Sequence, residues 1–268
     1  MDTYIEGNIV SLRKGGHMDY TTGFIFEQEF VESINNKYFK DLNENLKHFV
    51  SFAIPSLELD KPLKCCKLDT QIKPDVCIYQ GETRKYVSLK TGMTEHLHNE
   101  NILTFVEFLK SQNIDSYTIE SYLLYQYGDG TTDGTGANRM SSVDIKFYLF
   151  ERIRKMNDVF NSSKEFIKAF ADRVVWKGVN PNSEEAEFLY HGDIDFGMFI
   201  SKRQLNRHID RKSWEFMERC VHIGPFVIRP KARFANKKMT NPAERNVVSV
   251  SYPRLINDIQ YMYKIYNR

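Results

Sequence analysis

An aspartate and a lysine bound two short apolar runs in the segment KPDVCIYQGETRKYVSLKTG, residues 73–92. Asp75 stands at the start of the first run, and Lys90 ends the second. If both runs are strands joined by the polar turn GETR, antiparallel pairing brings the two side chains towards one another. A carboxylate can hold Mg²⁺, and an ammonium group can orient or deprotonate an attacking water and offset transition-state charge. The pair therefore suits phosphodiester hydrolysis.

The spacing of apolar residues also predicts the positions of a second acid and two supporting residues. Along the second run, strand alternation puts Ser88 and Lys90 on one face. In the preceding helical stretch GFIFEQEF, Glu27 lies on the apolar arc, where a carboxylate is costly unless it is paired or metal-bound. We expect Glu27 to be the second acid, with a capping or salt-bridged role as the alternative. His98 and Glu100, near a predicted helix start, could contact the scissile phosphate or a metal-bound water, or merely cap the helix.

The elements that must position these residues follow from apolar spacing and turn signals. Helices are expected over residues 21–39 and 98–113, flanking the two strands, and a further strand is expected over 117–127. A glycine-rich loop follows. Beyond it we expect helices over 142–156, 163–176 and 202–209, the last capped by Ser201, and a hairpin of residues 226–234 and 246–252.

The order of helix, PD, short turn, strand ending in x-x-K, helix and strand resembles the PD-(D/E)XK nuclease superfamily, the fold of most type II restriction endonucleases. The resemblance covers roughly residues 20–127. It implies an α/β fold with a mixed central sheet flanked by helices. It also implies Mg²⁺ bound by Asp75, the Leu89 carbonyl and a helix glutamate, here Glu27, with Lys90 at the attacking water. Ser88 departs from the family, which has an acid at that position.

Two basic clusters are candidate phosphate contacts for double-stranded DNA. Gln204 and Asn206, within the first cluster, are candidate base readers. An ordinary solvated basic face is the alternative for each cluster. The residues assigned to DNA binding are Lys202, Arg203, Arg207, Arg229, Lys231, Arg233, Lys237 and Lys238.

Composition sets the broad class of the protein. The 268 residues carry 37 basic and 35 acidic side chains. Because these nearly balance, binding of a polyanion requires local clusters of basic residues. The four cysteines form no C-x-x-C motif, which favours a reduced, cytoplasmic protein without structural zinc. No apolar run has the length of a membrane span. We expect a catalytic core over residues 1–128, a flexible loop over 129–142, and a carboxy-terminal α+β region over 143–268 that packs on the core and recognises DNA.

The sequence therefore predicts a Mg²⁺-dependent endonuclease of the type II restriction class. Cutting both strands of a duplex favours a homodimer, although a monomer that cuts sequentially is an alternative. Two other functions stay open: a non-catalytic DNA-binding protein on a nuclease scaffold, and a nuclease of repair, recombination or RNA cleavage.

Overall fold

The structure, a computed structural model, describes residues 20–69, 72–92, 95–136, 139–214, 220–231 and 242–266. Its α-helices are α1 (Tyr20–Ile34), α2 (Glu44–Ala53), α3 (Ile102–Ser111), α4 (Ser116–Tyr127), α5 (Ser142–Tyr148), α6 (Phe150–Phe160), α7 (Lys164–Ala171), α8 (Lys202–Arg211) and α9 (Leu255–Tyr266). Its strands are β1 (Lys64–Lys67), β2 (Val76–Gln80), β3 (Thr83–Lys90), β4 (His96–Asn101), β5 (Phe188–His191), β6 (Met198–Ser201), β7 (Val221–Ile223), β8 (Phe226–Pro230) and β9 (Val247–Ser251).

The first sheet is mixed, with strand order β1-β2-β3-β5-β6. All neighbours run antiparallel except β3 and β5, which are parallel. The predicted hairpin of β2 and β3 is confirmed. Gly81 supplies the positive φ of 57° that its two-residue turn needs.

The second sheet is antiparallel, with order β4-β9-β8-β7. Strands β8 and β9 are neighbours, so the predicted pairing of these two segments is confirmed. Strand β4 joins this sheet along β9. It was not expected from the sequence, because its residues HLHNEN carry only one aliphatic side chain.

The first sheet lies between two apolar clusters. On one face, Val87 and Tyr190 pack with Phe30 of α1 and Phe49 of α2. On the other face, Leu189 belongs to the larger cluster that includes helices α3, α4, α6 and α7 and the second sheet. Burial of side chains of this size contributes about 2 kcal/mol each. The α/β class is thus confirmed as two sheets flanked by helices.

The prediction of a strand over residues 117–127 is wrong, since this segment forms α4. Local signals at both ends specify a helix: the Asp115 side chain accepts from Thr118 N, and Gly128 ends the helix in the left-handed conformation. Between them, Tyr122 and Gln126 are buried one turn apart. The helix predicted from residue 98 begins at Ile102, capped by Asn101.

Each sheet contains strands from both sides of the glycine-rich loop. Strands β5 and β6 complete the first sheet, and β4 lies in the second. The described parts of the segments 1–128 and 143–268 are therefore interleaved in the two sheets. Among the described residues, every helix is too short or too polar to cross a lipid bilayer.

Candidate active site at the end of the first sheet

The Asp75 carboxylate is fixed against the end of β3. The Asp75 backbone N–H donates to the Val87 carbonyl (2.9 Å), which holds the residue beside the strand. Carboxylate oxygen Oδ2 accepts from Leu89 N at 2.6 Å and from Ser88 Oγ at 3.1 Å. Within the described part of the chain, Oδ1 accepts no hydrogen bond. Asp75 is therefore an oriented anion with one oxygen available.

Lys90 lies at the same edge of the sheet. Strands β3 and β5 are parallel, so their carboxyl ends meet, and Lys90 stands opposite His191. Alternation along β3 places Lys90 on the face of Ser88, away from the α1 and α2 layer. Because Ser88 donates to Asp75, the half-buried Lys90 shares a face and an edge with that carboxylate.

His191 was missed in the sequence. Its side chain is 5% exposed, and neither ring nitrogen has a hydrogen-bond partner among the described residues. Burial lowers its pKa; Lys90 adds repulsion, while contacts with the backbone of Gly92 and of His191 itself act in the opposite direction. The signal was weak: the short run FLYH, which ends in the histidine itself and is followed by Gly192. A neutral imidazole thus lies beside Lys90.

Lys73 is a second lysine, and it lies close enough to Asp75 and Lys90 for their charges to shift its pKa. Its Nζ donates to the Leu97 carbonyl at 3.1 Å, and its backbone N–H donates to Ser183 Oγ at 2.9 Å. Burial lowers the pKa of Lys73 to about 7; the charge of Lys90 acts in the same direction, and Asp75 opposes it. The site therefore combines one carboxylate with two lysines, of which Lys73 is only partly charged near pH 7.

Glu27 is held in another environment. Its Oε2 forms an ion pair with Lys67 Nζ at 2.6 Å, and the same ammonium lies 3.2 Å from the centroid of the Phe24 ring. Lys67 stands opposite Val76 in the ladder, which places both on the α1 side of the sheet. Asp75, the next residue, points to the other side by strand alternation. The structure does not bring Glu27 and Asp75 together.

His98 and Glu100 lie on β4 and not at a helix start. The buried Glu100 accepts from Arg173 Nη2 at 2.6 Å and lies 3.6 Å from His98 Nε2. Burial lowers the pKa of His98 to about 3, and repulsion from Lys73 and Arg173 adds to the effect. Glu100 thus neutralises Arg173, which follows α7, and links the second sheet to that helix.

The basic residues of α8 divide into paired and exposed groups. Lys202 is bound to Asp172 (2.9 Å) and Glu185 (2.6 Å). Gln204 is buried in the capping box with Ser201, so it is not presented to a ligand. Arg203 and Arg207, one turn apart, are exposed and form no ion pair with any described residue.

The basic residues of the hairpin have three different settings. Lys231 pairs with Glu244 at 3.2 Å. Arg229 lines a cavity beside β8. Arg233, Lys237 and Lys238 lie outside the described residues.

The chemistry of the donors limits how a metal could be held. In the described ranges, no three His, Cys, Asp or Glu side chains come together as a metal-binding group. Mg²⁺ commonly binds through one or two carboxylates, several waters and substrate phosphates. The Oδ1 of Asp75, which accepts no hydrogen bond from the described residues, fits an ion shared in this way with a substrate.

Comparison with protein-family models and with curated proteins gives no match to this chain.

Proposed function

We propose that this protein is a Mg²⁺-dependent endonuclease that hydrolyses phosphodiester bonds in double-stranded DNA, of the PD-(D/E)XK and type II restriction class. The observation that supports it most is the oriented Asp75 carboxylate, held by Leu89 N at 2.6 Å, on the same edge and face as Lys90. These are the residues on which the superfamily resemblance rests. Their positions agree with the roles that it implies.

Asp75 and the Leu89 carbonyl would hold the Mg²⁺ ion, with water and the DNA phosphate as its remaining ligands. When bound, the ion would polarise the phosphoryl group and lower the pKa of a bound water. The hydrogen bonds from Leu89 N and Ser88 Oγ keep the Asp75 carboxylate in one orientation, so little reorganisation accompanies binding.

Lys90 orients the attacking water and offsets the charge that develops on the phosphate. Burial lowers the pKa of its neighbour His191, which favours the neutral imidazole, so a ring nitrogen can accept a hydrogen bond. Lys73, whose pKa burial lowers to about 7, adds an amine that is only partly charged at neutral pH. Glu27 has no part in this proposal because it is paired with Lys67.

DNA would be contacted in part by Arg203 and Arg207 on α8, which are exposed and have no carboxylate partner among the described residues. Contacts of this type make affinity fall steeply with salt. We further propose cytoplasmic action and, because both strands of a duplex must be cut, a homodimer.

The test is cleavage of supercoiled plasmid and phage DNA with Mg²⁺ by wild type, Asp75→Ala and Lys90→Ala. We expect discrete fragments from the wild type and a loss of at least ~100-fold in rate for each variant. Arg154→Gln is the control, because Arg154 is exposed and paired with Glu151. Undiminished cleavage by either site variant would reject the assignment. A smear in place of fixed bands would favour a repair or nonspecific nuclease.

A non-catalytic DNA-binding protein on the same scaffold is the second candidate. The observation that favours it is Ser88, whose hydroxyl donates to Asp75 where the superfamily has a second acid. Salt-dependent retardation of DNA fragments, with no cutting of varied-sequence DNA in Mg²⁺ or Mn²⁺, would establish this candidate in place of the nuclease.

A further inference from the structure

Two cysteines stand directly opposite one another in the first sheet. Cys66 of β1 is the register partner of Cys77 of β2, so their side chains share one face of the sheet. Cys66 is exposed, whereas Cys77 is only 3% exposed. All four cysteines of the chain are free thiols. The nuclease assignment uses none of them.

The ladder between β1 and β2 fixes the separation of these two residues. Leu68 N donates to the Asp75 carbonyl at 3.0 Å, which makes Leu68 and Asp75 a hydrogen-bonded pair. Cys66 and Cys77 lie two residues further along each strand, so they form the next hydrogen-bonded pair. The Cα atoms of such a pair are about 5.5 Å apart, and disulfides span roughly 4.4–6.8 Å between Cα atoms. The two thiols are therefore within reach of a disulfide bond.

The two thiols are also close enough for their charges to interact. Burial raises the pKa of Cys77, and the charge of Cys66 raises it further. The backbone of Lys85 and the charge of Arg84 oppose these effects, and Glu184 adds to them. Cys77 is therefore protonated and shielded near pH 7, and the exposed Cys66 is the thiol that a dissolved oxidant meets first.

The other two cysteines lack such a partner position. Cys65 precedes Cys66 on β1, so its side chain points to the opposite face, where it is buried in the cluster with α1 and α2. Its backbone N–H donates to Asn35 Oδ1 at 3.2 Å. Cys220 is buried immediately before β7, in the second sheet. The register thus selects one pair of the four cysteines.

We propose that Cys66 and Cys77 form a reversible disulfide across β1 and β2, with Cys66 as the thiol that reacts first with a low-molecular-weight disulfide. With glutathione disulfide, the Cys66 thiolate attacks one sulfur, and one glutathione leaves as a thiolate that takes up the proton lost by Cys66. The Cys77 thiolate then attacks the Cys66 sulfur of the mixed disulfide and releases the second glutathione. Two protein thiols are thereby oxidised to one disulfide, and one glutathione disulfide is reduced to two thiols.

Strain makes this disulfide easy to reduce. The Cβ atoms of directly opposed strand residues lie about 4.5–5.5 Å apart, whereas a disulfide holds them at roughly 3.5–4.5 Å. Closing this gap draws β1 and β2 together two residues from Asp75, which lies on the face of Cys77. A strained and partly exposed disulfide has a higher reduction potential than a structural one. The pair therefore suits a transient response to oxidants in a reducing compartment.

The test is incubation of the folded, full-length protein with glutathione disulfide, followed by peptide mass spectrometry without reductant. We expect one cross-link between Cys66 and Cys77 that retains no glutathione and is lost on treatment with dithiothreitol. Cys77→Ser should instead keep one glutathione on Cys66, because the thiol that displaces it is missing. Cys66→Ser should react at least ~tenfold more slowly than the wild type, because Cys77 is buried.

Cys65→Ser is the matched control and should form the cross-link at the wild-type rate, since its side chain lies on the other face. If Cys77→Ser does not fold, Cys77→Ala gives the same comparison. A wild type that keeps glutathione on Cys66 without forming the cross-link would overturn the proposal. A cross-link that persists in Cys66→Ser, or a wild type without a cross-link at any concentration of glutathione disulfide, would overturn it as well.

Discussion

At the scale of single residues, the account depends on how Asp75 is held. Oδ2 is bound by Leu89 N and Ser88 Oγ, which fixes the carboxylate and leaves Oδ1 for a ligand. Hydrogen bonds to a charged group contribute about 1.5–3 kcal/mol each, enough to set one rotamer. Ser88 thus stands where the superfamily has an acid, but its hydroxyl donates a hydrogen bond to Asp75.

Replacing Ser88 tests whether this position belongs to a metal site. In Ser88→Asp, a second carboxylate would stand about where Oγ now lies, 3.1 Å from Asp75 Oδ2. Repulsion and desolvation should lower the melting temperature in EDTA, and Mg²⁺ should restore it. Thermal melts with and without Mg²⁺ measure this. Ser88→Asn is the uncharged control, and an equal Mg²⁺ response in both variants would contradict the prediction.

Glu27 and Lys67 form a pair that is about one-fifth exposed on both sides. We expect Glu27→Gln and Lys67→Met each to lower the free energy of unfolding by about 1 kcal/mol, with the double variant losing less than the sum. Plasmid cleavage should survive in both. Denaturant unfolding and the cleavage assay measure the two effects. Abolished cleavage in Glu27→Gln alone would instead make Glu27 a metal ligand.

The sequence placed Asp75 and Lys90 on one face of a local hairpin, because the turn fixes the register of its two strands. His191 could not be found in this way. Its burial and its place beside Lys90 come from parallel pairing with a strand about a hundred residues away. Glu27 was correctly placed on the helix arc, but its partner Lys67 lies on β1, a four-residue strand too short to predict.

At the scale of elements, local capping decided the structure of α4. Its aromatic and β-branched residues favoured a strand, whereas Asp115 and Gly128 provide the start and stop of a helix. Tyr122 then packs inside the larger cluster. The Gly128 carbonyl accepts from Met140 N, and the side chain of the preceding residue, Arg139, donates to the carbonyls at the end of α4.

Gly128→Ala should therefore be strongly destabilising. Gly128 has φ +60°, and an added Cβ would lie 2.5 Å from Ile145 Cδ1. We expect the free energy of unfolding to fall by about 2 kcal/mol, from backbone strain and displacement of Ile145. Gly23→Ala, in the open interior of α1, is the control and should raise it by up to about 1 kcal/mol. A neutral Gly128→Ala in chemical denaturation would contradict this.

At the scale of the whole molecule, the second sheet carries His222 on β7, which is buried, and His98 on β4, which is mostly buried. Burial lowers the pKa of His222 to about 4 and that of His98 to about 3, with further repulsion from Arg229 and Lys73 respectively. The unfolded chain binds these protons near pH 6.5 and the folded chain only at lower pH. Stability is therefore full above pH 6.5 and falls as the pH drops towards 3.

Urea unfolding at a series of pH values measures this slope. His222→Gln should reduce the loss of stability between pH 6.5 and 4, whatever its stability at pH 7. His48→Gln is the control, because His48 contacts Tyr263 at a more exposed position. An unchanged slope in His222→Gln would show that another group causes the acid sensitivity.

The most direct measurement of the central claim is the single-turnover rate of Mg²⁺-dependent DNA cleavage in wild type and Asp75→Asn. Asparagine keeps the shape of the side chain and can still accept from Leu89 N, but it removes the charge. We predict cleavage by the wild type and a loss of at least ~100-fold in Asp75→Asn, with DNA binding retained. Equal rates in the two proteins would contradict the account.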